Sequence, residues 1–163
     1  MNSLIIFVAK YFFVLSLVLV GAYWLRATTP VKVGLLGRLI VGGALAVLFA
    51  VLAGHLHYDP RPFVTHHLKP LIPHAPDNGF PSDHALLTAL LAFTILIYSR
   101  ALGAVLLVIA LLVGAARVAA HIHNPQDIVA SFVIAALSVA ITEFLFRQWD
   151  RRRHRHASGQ RAT

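Results

Sequence analysis

Eight of the ten histidines lie between His55 and His123, and four of the six acids, Asp59, Asp77, Asp83 and Asp127, lie within that stretch or just beyond it. A neutral imidazole is a nucleophile available near neutral pH, and a carboxylate on its second nitrogen fixes the tautomer and stabilises developing positive charge. A second imidazole can donate a proton to a leaving group and later take one from water. His123 and Asp127, four residues apart, are near enough in sequence for such a pairing. There is no cysteine, so thiolate nucleophiles, disulfides and thiolate metal sites are excluded.

Two helix starts carry the same chemistry. Pro81-Ser82-Asp83-His84 sets a capping serine, an acid and a histidine at one helix opening, and Asn124-Pro125-Gln126-Asp127 sets a capping asparagine, a proline at the first helical position and an acid at another. Free backbone N–H groups and the positive dipole end make such openings anion sites. With Arg61 and Arg117 nearby, a pair of them on one face suits a phosphate.

The elements that must position these residues are membrane helices. Of 163 residues, 58% are hydrophobic and 12% charged, outside the balance of a soluble domain. Apolar runs at Leu4–Leu25, Val33–Ala53, Ala85–Tyr98, Ala101–Ala120 and Ile128–Phe146 compare with the roughly 20 residues that cross a bilayer. The third run is short, and begins near Ser82 if its polar first turn sits at the interface. Leu4–Leu25 lacks preceding basic residues and a clear small-residue cleavage site, so it reads as a mature helix and not a signal peptide. The expectation is an all-α polytopic bundle of about five transmembrane helices, with the catalytic residues at its outer helix ends. Residues 1–147 would form the membrane domain and residues 148–163 a basic, disordered cytoplasmic tail.

Arg26 and Lys32 in the first loop, Arg100 in the Tyr98–Ala101 turn, and Arg147, Arg151, Arg152, Arg153, Arg155 and Arg161 all fall on one side of a five-span chain. The positive-inside bias makes that side cytoplasmic and puts the N-terminus and the loops Gly54–Pro81 and His121–Pro125 outside. Gly54–Pro81 holds six of the eight prolines, and a long ordered loop of this kind tends to be functional. The basic tail fixes topology and touches anionic lipid; nucleic-acid binding does not fit so much membrane.

Three ordered segments resemble the motifs of the type-2 phosphatidic acid phosphatase superfamily: Arg61-Pro62, then Pro81-Ser82-Asp83-His84, then Arg117 with His123 six residues on and Asp127 four beyond. The family pattern is Lys, six residues, Arg-Pro; Pro-Ser-Gly-His; and Ser-Arg, five residues, His, three residues, Asp. The match spans roughly the C-terminal two thirds of the chain. With Asp83 in place of the glycine and a Pro-Arg-Pro-Phe first motif, the sequence is similar to the bacterial undecaprenyl-diphosphate phosphatase branch associated with bacitracin resistance. The resemblance implies hydrolysis of a polyprenyl diphosphate lipid in the bacterial inner membrane, during cell-wall synthesis. It implies His123 as nucleophile on the terminal phosphorus, Asp127 as its orienting acid and His84 as proton donor to the departing oxygen. Arg61, Ser82 and Arg117 would bind phosphoryl oxygens, and no metal or other cofactor is required.

Two positions depart from the pattern. Gly54 stands where the family lysine belongs, with His55, His57, Lys69 and Lys10 as candidate replacements, and Ala116 precedes Arg117 in place of serine. Lys10 reads first as a snorkelling side chain, Asn124 as a cap, and His55, His57, His66, His67 and His74 as members of a headgroup-facing loop. Asp83 divides evenly between a first-turn acid favoured by the helix dipole and a site residue. A second reading keeps the mechanism but takes phosphatidic acid, phosphatidylglycerophosphate or a lipid A phosphate as substrate. A third, of another class, is a metal-binding or metal-transporting protein using His55 and His57, His66 and His67, and His121 and His123.

Overall fold

The computed structural model describes residues 2–159, with side chains to residue 152. Six helices follow in order: α1 (Asn2–Arg26), α2 (Thr29–Leu56), the short α3 (Pro62–Thr65), α4 (Asp83–Leu96), α5 (Arg100–Ala119) and α6 (Pro125–Gly159). A bilayer core offers no water to unpaired N–H and C=O groups, so apolar runs of this length satisfy their backbones as helices. α1, α2, α5 and the Pro125–Arg152 part of α6 are long and apolar enough to cross a membrane. Of the expected disordered end, residues 148–159 are instead helical, as a continuation of α6, and residues 160–163 lie outside the described residues.

α4 is the exception in length. Its 14 residues span about 21 Å at 1.5 Å per residue, less than the ~30 Å hydrocarbon core. It tolerates this because it is the central helix: nine of its residues are buried, and α1, α2, α5 and α6 all pack against it. Protein, not lipid, surrounds most of it. Val20, Leu35, Leu91, Ile95, Leu106 and Val113 form one core cluster; Ala46, Leu86, Leu90 and Ile134 form a second.

Two charges inside the spans escaped the sequence reading. Arg38 of α2 donates through Nε to Glu143 of α6 at 2.7 Å and through Nη1 to the Tyr98 hydroxyl at 3.0 Å, while Arg147 binds the other carboxylate oxygen of Glu143 at 2.8 Å. This clasp joins α2, α6 and the α4–α5 turn at the end of the bundle opposite the histidines.

At the histidine end, α4 and α6 start side by side. The Ser82 N–H points at the Asp127 carbonyl at 3.5 Å, and the Ser131 hydroxyl lies 2.9 Å from the Ser82 carbonyl and 2.7 Å from that of Asp127. The long proline-rich loop folds back over these ends through an isolated bridge between Pro60 and Asn78. Asn78 uses its whole amide. Its Oδ1 accepts from the N–H groups of Asp59 and Phe80, both at 3.0 Å, and its Nδ2 donates to the carbonyls of Gly54 at 3.0 Å and His57 at 3.1 Å.

Candidate active site

The chain leaves α5 through His121, whose φ of 60° is the left-handed turn common just past a helix end. That turn brings the next two residues into the cluster at the helix ends. Arg61, at the N-cap of α3, sends Nη1 to the Ile122 carbonyl at 2.8 Å, and His123 follows, 3% exposed, against Asp127, which is 0% exposed.

The partners of His123 define its tautomer. Nδ1 lies 2.9 Å from the Gly79 carbonyl and 3.2 Å from Asp127 Oδ2, both acceptors; Nε2 lies 3.2 Å from Arg117 Nη2 and 3.4 Å from Arg61 Nη1, both donors. The proton therefore sits on Nδ1, and the Nε2 lone pair faces the gap between two guanidinium groups. Burial pushes the imidazole's pKa below its ordinary value; the Asp127 hydrogen bond opposes this, and the charges of Arg117 and Arg61 add to it. The ring is neutral at neutral pH, the form in which an imidazole can act as a nucleophile. Asp127 is itself fixed, since its Oδ2 also accepts the Asn124 N–H at 2.8 Å.

Both arginines are held from behind. Arg61 Nε donates to Asp77 at 2.7 Å, and this pairing, foremost its hydrogen bond, holds the Asp77 carboxyl below the usual carboxylate range. Arg117 sends Nη1 to the Ala9 carbonyl of α1 at 3.3 Å, and among the described residues it forms no ion pair. Arg117 Nε and Ser82 Oγ are buried without a hydrogen-bond partner. A buried cation and a buried hydroxyl left unpaired are costly unless an anion completes them, which fits a tetrahedral oxyanion here. His84, in the first turn of α4, packs edge-on against Phe13 at 4.9 Å between ring centroids and lies within electrostatic reach of Arg117, His123 and His74.

The sequence-predicted residues thus gather: His123, Asp127, Arg61 and Arg117 in direct contact, with Ser82 and His84 beside them. Others do not join them. The Ser82 hydroxyl makes no cap bond, although its residue holds the N-cap position. Asn124, expected as a cap, instead donates its side-chain amide to the Pro60 carbonyl at 3.2 Å, because that loop strand passes within reach. Asp83, Lys10 and Lys69 are exposed; His55 turns back to its own Val51 carbonyl, and His57 stacks edge-on with Phe80. Among the described residues no group of three or more histidine, aspartate or glutamate side chains is disposed to hold a metal ion, so the metal reading finds no ligand cluster. Sequence reasoning missed Asn78 and Gly79, counted Asp77 only among the outer acids and took His74 as a member of a headgroup-facing loop. The turn-forming Asp77-Asn78-Gly79 run just before Phe80-Pro81-Ser82 was the available signal.

The PAP2 superfamily pattern matches residues 31–153, which include all of these groups except the α1 contacts. The chain is a member of the PAP2 superfamily. Undecaprenyl-diphosphatase BcrC of Bacillus subtilis (strain 168) is 32% identical over 137 residues, 84% of this chain and 70% of that one. A Bacillus licheniformis protein named bacitracin transport permease protein BcrC is 33% identical over 142 residues, 85% of this chain and 68% of that one. Among solved structures, Aquifex aeolicus LpxE superposes with a TM-score of 0.71 at 20% identity, over 86% of this chain and 84% of that one. A phosphatidylglycerolphosphate phosphatase of Bacillus subtilis does so with 0.63 at 23% identity, over 90% of this chain and 77% of that one. The fold is the PAP2 transmembrane fold, and this PAP2 protein is a multi-span membrane lipid phosphatase.

Proposed function

We propose that the enzyme hydrolyses undecaprenyl diphosphate to undecaprenyl phosphate and inorganic phosphate through a phosphohistidine on His123. The observation that carries the reading is the His123 Nε2 lone pair facing Arg117 at 3.2 Å and Arg61 at 3.4 Å, with Nδ1 held by Gly79 and Asp127. The name of the Bacillus subtilis relative, undecaprenyl-diphosphatase, supports this choice of substrate.

In the first step Nε2 attacks the terminal phosphorus, and the bond from that phosphorus to the bridging oxygen breaks. Arg61, Arg117 and Ser82 hold the three peripheral oxygens, whose charge spreads as the phosphoryl group transfers. Asp127 stabilises the imidazolium formed on His123. His84, protonated as the dianionic headgroup enters, gives its proton to the departing undecaprenyl phosphate. In the second step His84 takes a proton from water, the water oxygen bonds to phosphorus, the P–N bond breaks, and phosphate leaves.

The same reading sets the enzyme in the bacterial inner membrane with the site on the periplasmic face and the C-terminus cytoplasmic, which the basic flanks support. Residues 1–147 are the catalytic domain and residues 148–163 the basic tail. The test is phosphate release from undecaprenyl diphosphate by detergent-purified protein, with and without chelator, beside His123→Ala. The expected result is chelator-resistant release abolished by the substitution, with an acid-labile phosphoenzyme trapped from labelled substrate in wild type only. Faster release from phosphatidic acid, phosphatidylglycerophosphate or a lipid A phosphate would transfer the assignment to that lipid, and loss of activity with chelator would restore the metal reading.

A further inference from the structure

His74 belongs to none of the family motifs, yet it stands in the site. Its Nε2 is 3.4 Å from Arg117 Nη2, the same nitrogen that lies 3.2 Å from His123 Nε2. Two imidazole nitrogens converge on one guanidinium donor. The position is held by the backbone around it: the Leu71 N–H donates to the Ala120 carbonyl at 3.1 Å, and Ile72 is buried with Ala9, Ala116, Ala120 and Ile122. Pro70, Pro73 and Pro76 stiffen the segment further. His74 is thereby pinned to the C-terminal end of α5, the helix that carries Arg117.

Position 54, where the family pattern has lysine, is crowded by the same loop. A Cβ on Gly54 would stand 3.1 Å from the Phe80 carbonyl, and the Gly54 carbonyl already accepts from Asn78 at 3.0 Å. A third cation must reach the phosphate from another wall. His55 and His57 are turned onto Val51 and Phe80, and Lys10 and Lys69 are exposed without a partner in the cluster.

We propose that His74 supplies that third contact to the terminal phosphate, taking up a proton as the phosphate settles between Arg61 and Arg117. The inference rests on the reading of His123 as nucleophile. The groups facing His74 are Arg117 on α5, Arg61 before α3, His123 in the α5–α6 connection, His84 on α4 and Asp77 in its own loop. Burial, and then the charges of Arg61 and Arg117, lower the His74 pKa in the free enzyme, so the ring starts neutral. A phosphate between the arginines cancels their field and offers an acceptor, and both effects favour the imidazolium. The proton comes from solvent or from a singly protonated terminal phosphate, and the new Nε2–H donates to a phosphoryl oxygen. A lysine would be charged at all working pH values; a histidine makes substrate binding pH-dependent.

The experiment is KM and kcat of the full-length protein on undecaprenyl diphosphate from about pH 7 to about pH 9, for wild type, His74→Ala and His74→Lys, with His123→Ala alongside. KM of wild type should climb with pH. His74→Ala should raise KM about tenfold at pH near 7, the loss of one charge-assisted hydrogen bond, with a much smaller effect on kcat. His74→Lys should restore a low KM that no longer climbs. If alanine destabilises the loop, visible as a lower melting midpoint in detergent, His74→Gln answers the same question with a side chain that cannot charge. Wild-type KM in both uncharged variants, or a lysine variant no better than alanine, overturns the role of His74. Activity surviving in His123→Ala overturns the underlying reading instead.

Discussion

The Nδ1 of His123 meets the backbone carbonyl of Gly79 at 2.9 Å, closer than it meets the Asp127 carboxylate at 3.2 Å. The tautomer of His123 is therefore set by a loop carbonyl and an acid together. A Cβ on Gly79 would stand 3.2 Å from Asp127 Oδ2, 3.3 Å from the Asp59 carbonyl and 3.4 Å from Arg61 Cγ. Gly79→Ala should displace the carbonyl or the acid and lower kcat about tenfold to a hundredfold, since small misplacements of reacting groups cost on that order. Steady-state kinetics beside an unchanged melting midpoint would separate this from unfolding.

Asp127→Asn should cost more. An asparagine can still accept the Asn124 N–H, but it cannot neutralise an imidazolium, and its amide can turn a donor toward Nδ1. A fall in kcat on the order of a hundredfold to ten-thousandfold is expected, by comparison with the same change in hydrolytic triads. A variant with a tenth of wild-type kcat or more would contradict a working His123–Asp127 pair.

The pKa of His123 is depressed, chiefly by burial, so the acid limb of kcat/KM should lie below about 6.5, the ordinary histidine value. The folded form also binds fewer protons than the unfolded chain between the two pKa values. This contribution to stability is present above about pH 6.5 and declines as pH falls through that window. A pH–rate profile with its acid limb at or above the ordinary value would count against the buried, neutral ring.

Glu143→Gln should lower the melting midpoint without changing KM. Arg38 and Glu143 side chains are 14% and 18% exposed, and stripping one partner from a largely buried pair costs about 3 kcal/mol. Glu143 is sixteen residues along α6 from Asp127, or about 24 Å at 1.5 Å per residue. Thermal melts in detergent and kinetics on the surviving fold test both halves of the expectation.

His121 holds a φ of 60°, which strains a residue bearing a Cβ by about 1 kcal/mol. His121→Gly should leave stability unchanged or slightly raised. His121→Val should lower it and disturb the neighbouring His123. Melting midpoints of the two variants, compared directly, decide the point.

The spans were legible because a bilayer leaves an apolar run only one backbone solution, and even the short α4 was recoverable from its serine, aspartate and histidine start. His84, His123, Asp127, Arg61, Ser82 and Arg117 were legible because order and spacing tie them to three motifs. Asn78, Asp77, Gly79 and His74 were not. Their roles depend on a loop of six prolines folding back across the helix ends, and Gly79 acts through a carbonyl that every residue owns. Arg38 and Glu143 escaped the reading because they stand 105 residues apart, and no spacing rule joins charges so distant until the fold does. Asn124 had the right type and place for a cap, but the passing Pro60 carbonyl took its amide.

The PAP2 pattern begins at residue 31 and so leaves out α1, yet α1 lends its Ala9 carbonyl to Arg117 and sets Phe13 against His84. The hairpin partner that carries no motif thus helps to hold two of the clustered side chains in place. Exchanging it for the first helix of another superfamily member would re-aim Arg117 and His84 at once, with every motif residue left in place.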